Sequence, residues 1–296
     1  MTKHTPEDKQ QIDENGLIRY KDSSDAIFDD EAKKKISKSL LFGYDIDKTM
    51  VRIGLMNLML HGISHPMIER RDTLSSYAAD KKYSVVMANP PFTGTVSEDE
   101  LSSDLKSYGK KSELLFLVRI IKMLKNGGRA AVIVPEGVLF AKGKAKEIRE
   151  KLLRDCSLTA VISGVFKPYA GVKTAILLFA KVQDDSPVWH TDDVWFYELP
   201  NDGYSLDDNR RKLKDNPLPI AEQDFAIRNE LEKKTKQYFH LSIEEIEKNN
   251  LELRFDKYKL YDDVSVDVKP PHKLMEAILE LEDSLRNDLF QLNEMI

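Results

Sequence analysis

Apolar positions are sparse over residues 1–36, where one short stretch, Gly16-Leu-Ile-Arg-Tyr20, reads as a candidate strand within a polar leader. From residue 40 short apolar runs alternate with helical periods. Leu40-Leu-Phe-Gly-Tyr44 predicts a strand, and Lys48–Leu60 a helix with Val51, Leu55, Leu58 and Met59 on one face. Met67-Ile68 is a weaker strand signal and Tyr83–Ala88 a strong one. The next helix is expected to start at Ser112 as its N-cap and to repeat Leu114, Leu117, Val118, Ile121 and Leu124. Gly127-Gly128 is expected to stop it. Strands follow at Arg129–Val134, Leu158–Ile162 and Thr174–Lys181, with a Lys- and Arg-rich helix over Lys144–Arg154 whose charges read as a solvated face rather than a DNA contact. This alternation predicts an α/β fold.

Beyond residue 182 apolar runs shorten and charges multiply, which predicts an extension over 183–265 packed on the core. After Pro270-Pro271, Leu274, Ile278, Leu281, Leu285, Leu289, Leu292 and Ile296 recur at spacings of three and four. That stripe predicts an amphipathic helix over the tail 266–296, buried against its own core or against a partner helix.

Composition narrows the function classes. The 296 residues are 41% hydrophobic and 32% charged, enough for a sizeable core. No apolar stretch approaches the ~18 residues of a membrane span, and Met-Thr-Lys-His-Thr-Pro is too polar for a signal peptide, so a soluble cytoplasmic protein with no membrane partner is expected. The single Cys156 reads as a small buried residue, and six scattered histidines show no ligand spacing, so no metal site is expected. A net charge of −5 argues against nucleic-acid binding by bulk electrostatics; a local basic face or a more basic partner would have to supply the phosphate contacts.

The chemistry is concentrated at Asn89-Pro90-Pro91-Phe92, at the end of the Tyr83–Ala88 run. An exocyclic amine on a nucleobase is a poor nucleophile because its lone pair is delocalised into the ring. Two acceptors aimed at its hydrogens favour the pyramidal form. Asn89 can offer its side-chain carbonyl and Pro90 its main-chain carbonyl, which Pro91 holds in direction. Phe92 offers a face on which a flipped base stacks. Pre-placed dipoles handle the developing charge, so no metal and no strong general base is required. The plainer reading is a loop whose prolines merely end a strand.

A sulfonium methyl is the fitting electrophile, which calls for an S-adenosylmethionine pocket at the carboxyl ends of the strands. Asp45 is placed to accept from both ribose hydroxyls, while Asp47 suits a helix cap. Asp72 is placed to accept from the cofactor's adenine amine with Leu74 beside the ring, although a surface turn or N-cap would explain Asp72 equally simply. Ile46, Thr73 and Asn89 complete the candidate cofactor set.

At these residues the chain resembles the N6-adenine DNA methyltransferases, specifically the modification (M) subunits of type I restriction–modification systems. The resemblance is carried by Phe42-Gly-Tyr-Asp-Ile-Asp-Lys-Thr-Met50, Arg52–Gly62, Arg71-Asp-Thr-Leu74, Ala88–Phe92 and Ser112–Leu117. It continues through Gly127–Phe140, Gly164–Thr174, Val194–Tyr197, Asp202–Asp208, Asn249-Asn250 and Arg254–Lys257, spanning residues 38–262. It implies a Rossmann-like S-adenosylmethionine-dependent methyltransferase fold, with residues 37–182 as the catalytic domain and a flipped adenine in duplex DNA as substrate. It also implies a separate specificity (S) subunit that reads the DNA, with room for a restriction (R) subunit to join them, and contact of the terminal stripe Leu274–Ile296 with the helices of the S subunit.

Two departures qualify the resemblance. Members of the family carry, before the Asp45 strand, another strand leading to an Asp-Pro-x-x-Gly-x-Gly loop around the cofactor methionine, and a helical domain before that. Residues 1–39 contain only Gly16 and no such motif, so the chain reads as the C-terminal part of an M subunit. Around Ile162-Ser163-Gly164 the family's Leu-Pro is also missing. The missing strand would lie between the Asp45 and Asn89 strands and leave both unpaired. Three arrangements answer it: Gly16–Tyr20 substitutes, another polypeptide supplies the strand, or the cofactor pocket is distorted and independent activity is lost or weakened. The functional alternatives are therefore an adenine-N6 methyltransferase and a truncated, weak or inactive remnant that acts through assembly with an S subunit. A protein-glutamine methyltransferase is a third reading, against which Phe92 and the matching extension count.

Overall fold

The computed structural model describes residues 10–12, 18–20, 40–75, 82–165, 173–182, 188–205, 207, 209–231, 234–260 and 270–294. The chain divides into two compact units, Met1–Lys259 and Leu260–Ile296. The first opens with a small antiparallel pair, β1 (Gln10–Ile12) and β2 (Ile18–Tyr20), with Gln11 opposite Arg19. β3 (Phe42–Asp45) and β4 (Met67–Arg70) then run parallel, joined by helix α1 (Lys48–Leu60). Asp47 caps α1: its Oδ1 accepts from the backbone N–H of Thr49 at 2.6 Å and of Met50 at 3.3 Å. Those two bonds, Thr49's first, hold its carboxyl below the usual carboxylate range.

The larger sheet has six strands: β5 (Tyr83–Ala88), β6 (Leu124–Pro135), β7 (Cys156–Val165), β8 (Thr174–Lys181), β9 (Asp193–Glu198) and β10 (Tyr238–Ser242). Their spatial order is β10-β9-β7-β8-β6-β5, with β5–β6 and β7–β9 parallel and the other pairs antiparallel. Helices α2 (Ser112–Met123), α3 (Gly137–Phe140) and α4 (Lys144–Asp155) cover it, and their buried residues, among them Leu115, Leu117, Ile148 and Leu152, join Val132, Leu177 and Phe179 of the sheet in one core. Helices α5 (Leu218–Ile227) and α6 (Ile243–Lys248) flank β10 in sequence.

Cys156 is fully buried, and burial pushes its thiol up to about 12, so it packs as an apolar residue. Arg149 is a buried cation that works by geometry. Its Nε donates to the Leu251 carbonyl at 2.7 Å, and its Nη1 to those of Val138 and Ala141 at 2.8 and 2.9 Å. It thereby ties α4 to α3, to Ala141 just after it and to the segment after α6. Burial lowers its pKa to about 10, with Glu252 and Tyr258 opposing the shift, so it stays charged at neutral pH.

Four expectations change. β3 starts at Phe42 rather than Leu40, and its neighbour β4 extends to Arg70. Ser112 is the first helical residue of α2 and caps nothing; Lys111 takes the N-cap position. Gly127-Gly128 does not end α2, which stops at Met123; both glycines fall inside β6. There the pairing jumps from Tyr83 opposite Leu124 to Val85 opposite Arg129, and the extra residues bulge out. Ile18–Tyr20 pairs with β1, not with β3 or β5, so this segment does not act as the substitute strand.

As far as Lys259, the stretch read as an extension belongs to the first compact unit and contributes β9 and β10 to its sheet. The second unit holds α7 (Pro271–Glu294), a 24-residue helix along which Leu274, Ile278, Leu281, Leu285, Leu289 and Leu292 are exposed. No helix among the described residues is long and apolar enough to cross a membrane.

Candidate active site

β5 leads directly into the Asn89–Phe92 turn. Asn89 is exposed, and its side-chain amide makes no hydrogen bond among the described residues. Pro90 and Phe92 are half-buried and Pro91 is exposed. The turn is anchored from behind: Ser112 N donates to the Gly94 carbonyl at 3.1 Å and Val96 N to that of Lys110 at 2.9 Å, while Thr95 bridges Lys111. Gly94, at φ +150°, lies so close to α2 that a Cβ there would sit 2.9 Å from Ser112 Oγ. Sequence reading missed this clamp; a glycine two positions after Phe92 was its one visible signal.

The candidate cofactor residues cluster at the ends of β3 and β4. The two strands are in register with Asp45 opposite Arg70, and Arg71 N donates to the Asp45 carbonyl at 2.9 Å, which brings the turns after the strands side by side. Asp45 Oδ1 accepts from Asp47 N at 2.8 Å, and Asp72 Oδ1 from Leu74 N at 2.9 Å. Each aspartate thus shapes a turn with one oxygen and keeps the other without a partner among the described residues. The turn reading of Asp72 and the binding reading are compatible. Ile46 is exposed, Thr73 is half-buried, and Leu74 is 3% exposed inside the core, which leaves only backbone at Leu74 for a ligand.

The two halves of the site meet through side chains. Tyr44 and Tyr83 share a hydroxyl–hydroxyl hydrogen bond of 2.8 Å, and the Phe42 and Tyr83 rings lie 5.6 Å apart. The Arg71 guanidinium sits over the Tyr44 ring at 5.3 Å and pairs with Glu69 at 3.0 Å. Burial first, then the Tyr44 hydroxyl, pushes the Tyr83 phenol well above its ordinary range. No backbone ladder joins β3 to β5. No cluster of His, Cys, Asp or Glu among the described residues could hold a metal ion.

The family model of the N-6 DNA methylases matches residues 20–266. The chain belongs to the N-6 DNA methylase family. Among curated relatives, the type I restriction enzyme EcoEI methylase subunit of Escherichia coli is 35% identical over 219 residues, 67% of this chain and 41% of that protein. The EcoKI methylase subunit of Escherichia coli strain K12 is 37% identical over 161 residues, 50% of this chain and 30% of that protein. A solved chain from a study of type I R-M complex assembly superposes with a TM-score of 0.63 at 26% identity, covering 91% of this chain and 57% of that one. The EcoKI M protein gives 0.62 at 25%, covering 89% of this chain and 63% of that one. The chain thus spans about half the length of these relatives. Its Rossmann-like α/β fold is shared with these M-protein structures, and its parallel β3–β4 pair stands apart from the six-stranded sheet.

Proposed function

We propose that this chain is the M subunit of a type I restriction–modification system and transfers a methyl group to N6 of an adenine flipped out of duplex DNA. The observation that carries the reading is the uncommitted Asn89 amide in an exposed Asn-Pro-Pro-Phe turn at the end of a parallel strand. The Asn89 Oδ1 accepts one N6 hydrogen and the Pro90 carbonyl the other. Pro91 keeps the Pro90 carbonyl in an extended direction. Together they turn the nitrogen lone pair out of the ring plane, and the clamp of Gly94 on Ser112 keeps the acceptors still while charge develops. Phe92 stacks the base.

The residues on β3 and β4 fit S-adenosylmethionine as far as they go. The second oxygens of Asp45 and Asp72 offer acceptors for ribose hydroxyls and the adenine amine, with exposed Ile46 and half-buried Thr73 beside them. When bound, the cofactor supplies an electrophilic methyl on sulfur. The specificity subunit is the partner for the apolar face of α7, the restriction subunit joins that assembly, and sequence recognition resides in the specificity subunit.

The test is calorimetry with S-adenosylmethionine followed by transfer of labelled methyl to DNA. Saturable cofactor binding should weaken in Asp45→Ala and Asp72→Ala. In Asn89→Ala, transfer should fall by roughly 10²–10³-fold with cofactor binding intact, the usual cost of one lost pre-placed dipole. Absence of saturable binding would sink autonomous catalysis. A second reading is then favoured by the separation of β3–β4 from β5: a subunit that acts by assembly without its own turnover. It predicts a specificity-subunit complex that survives Asn89→Ala and is lost on removal of residues 270–296.

A further inference from the structure

The turn that presents Asp72 is held by the backbone of a segment that begins at Leu101. Ser102 N donates to the Leu74 carbonyl at 3.0 Å, and Ser75 bridges Leu101 in an antiparallel contact. Leu74 N in turn donates to Asp72 Oδ1 at 2.9 Å, and Ser75 Oγ to the Asp72 carbonyl at 2.9 Å. Leu74, Leu101 and Leu105 are buried in one core with Leu114 and Leu117 of α2. The turn after β4 is thus tied to the body of the six-stranded sheet at Leu74.

Arg119 of α2 fixes Ser102, and both residues are only 8% exposed. The Arg119 Nη2 donates to Ser102 Oγ at 2.5 Å, and that hydroxyl donates to Asp104 Oδ1 at 2.6 Å. The same Nη2 lies 3.5 Å from Asp104 Oδ1. Lys122 closes the group from outside: its Nζ is 2.9 Å from Asp104 Oδ2 and donates to the Asp104 carbonyl at 3.1 Å. A hydroxyl engaged both as donor and as acceptor is not free to turn, so Ser102 is locked in place. Burying a cation is costly unless it is paired. Filling this space would need only an apolar residue, such as the neighbouring Val118 and Ile120.

We propose that Arg119 is a positioning residue for the cofactor: acting through Ser102 and Leu74, it sets the direction in which Asp72 offers its second oxygen, and with it the selectivity for an adenine amine. This role rests on the reading of Asp72 as the adenine acceptor and goes beyond it, since Arg119 bonds to Ser102 and Asp104 rather than to Asp72. A carboxylate oxygen aimed at position 6 of a purine accepts from an amine there and repels a carbonyl oxygen. Loose aim weakens both the affinity and that discrimination.

The test uses the full chain, with S-adenosylmethionine and its hypoxanthine analogue as calorimetric probes and amide exchange read without cofactor. Arg119→Met removes the guanidinium and keeps apolar bulk. In it, S-adenosylmethionine affinity should fall at least about tenfold, and its margin over the hypoxanthine analogue should shrink at least about fivefold. The amides of residues 74 and 102 should exchange at least about tenfold faster, while those of 174–181 stay unchanged. Ser102→Ala removes only the hydroxyl and should move all three readings in the same direction. Arg119→Lys keeps a donor for Ser102 and should recover most of the margin. Unchanged exchange at 74 and 102 overturns the proposal, as does acceleration that spreads to 174–181 in Ser102→Ala. An affinity loss shared equally by both probes also overturns it, because it marks a residue that supports the fold alone. A chain whose affinity responds to Asp72→Ala but to neither Arg119→Met nor Ser102→Ala keeps the cofactor reading and loses the positioning role. A native chain that binds neither probe loses both.

Discussion

Gly164 has φ +91°, and a methyl group there would lie 2.2 Å from the Leu199 carbonyl oxygen. Both the backbone conformation and the space exclude a side chain. Gly164→Ala should therefore destabilise the fold by roughly 2–4 kcal/mol, seen as a melting temperature lower by about 5–12 °C. The sequence singles this glycine out through its motif, but the reason lies 35 positions away and becomes visible only when β7 meets the strand end after β9. Asp104 had no sequence signal at all. Burial works to raise its pKa, but the Ser102 and Lys122 hydrogen bonds and the Arg119 charge outweigh it and bring it down to about 2. A depressed carboxyl stabilises the fold above its unfolded pKa and loses that contribution as pH falls through the folded one. The advantage of the native chain over Asp104→Asn, on the order of 1 kcal/mol for so exposed a group, should persist down to pH 4 and vanish towards pH 2 in urea unfolding.

At the level of elements, α1, β5 and β8 were legible to the residue, because helical or apolar runs there end at unambiguous polar or proline signals. The failures share a cause. Ser112 and Gly127-Gly128 carry strong local signals for a cap and a stop, but tertiary partners claimed them: Gly94 and Thr95 dock on the start of α2, and the Tyr83 carbonyl lies 2.9 Å from where a Cβ on Gly128 would sit. The strand at Asp193–Glu198 lay inside a charged stretch, and its membership in the main sheet depends on pairing with β7. Within the candidate site, the Asn89–Phe92 turn was readable because prolines and an aromatic are rare at a strand end. The Tyr44–Tyr83 contact was not, since two tyrosines 39 positions apart carry no pattern. Because side chains rather than a ladder join the β3–α1–β4 unit to β5, amides in 42–60 should exchange faster than those in β8 by at least about tenfold in the free chain.

On the scale of the whole molecule, the residues proposed for chemistry and the helix proposed for assembly fall in different compact units. The turn and the aspartates belong to Met1–Lys259, and the leucine-lined helix to Leu260–Ile296. An isolated helix of 24 residues with so many exposed apolar side chains gains little by itself in water. Deleting residues 270–296 should therefore abolish capture of a specificity subunit in pull-down, while near-ultraviolet circular dichroism of Trp195 and its aromatic neighbours keeps its shape. The Tyr44–Tyr83 contact gives the first unit an optical consequence. Burial and the shared hydrogen bond both favour the protonated Tyr83 phenol. Phenolate absorbance during alkaline titration should then show a late transition for Tyr83, which should move to lower pH in Tyr44→Phe.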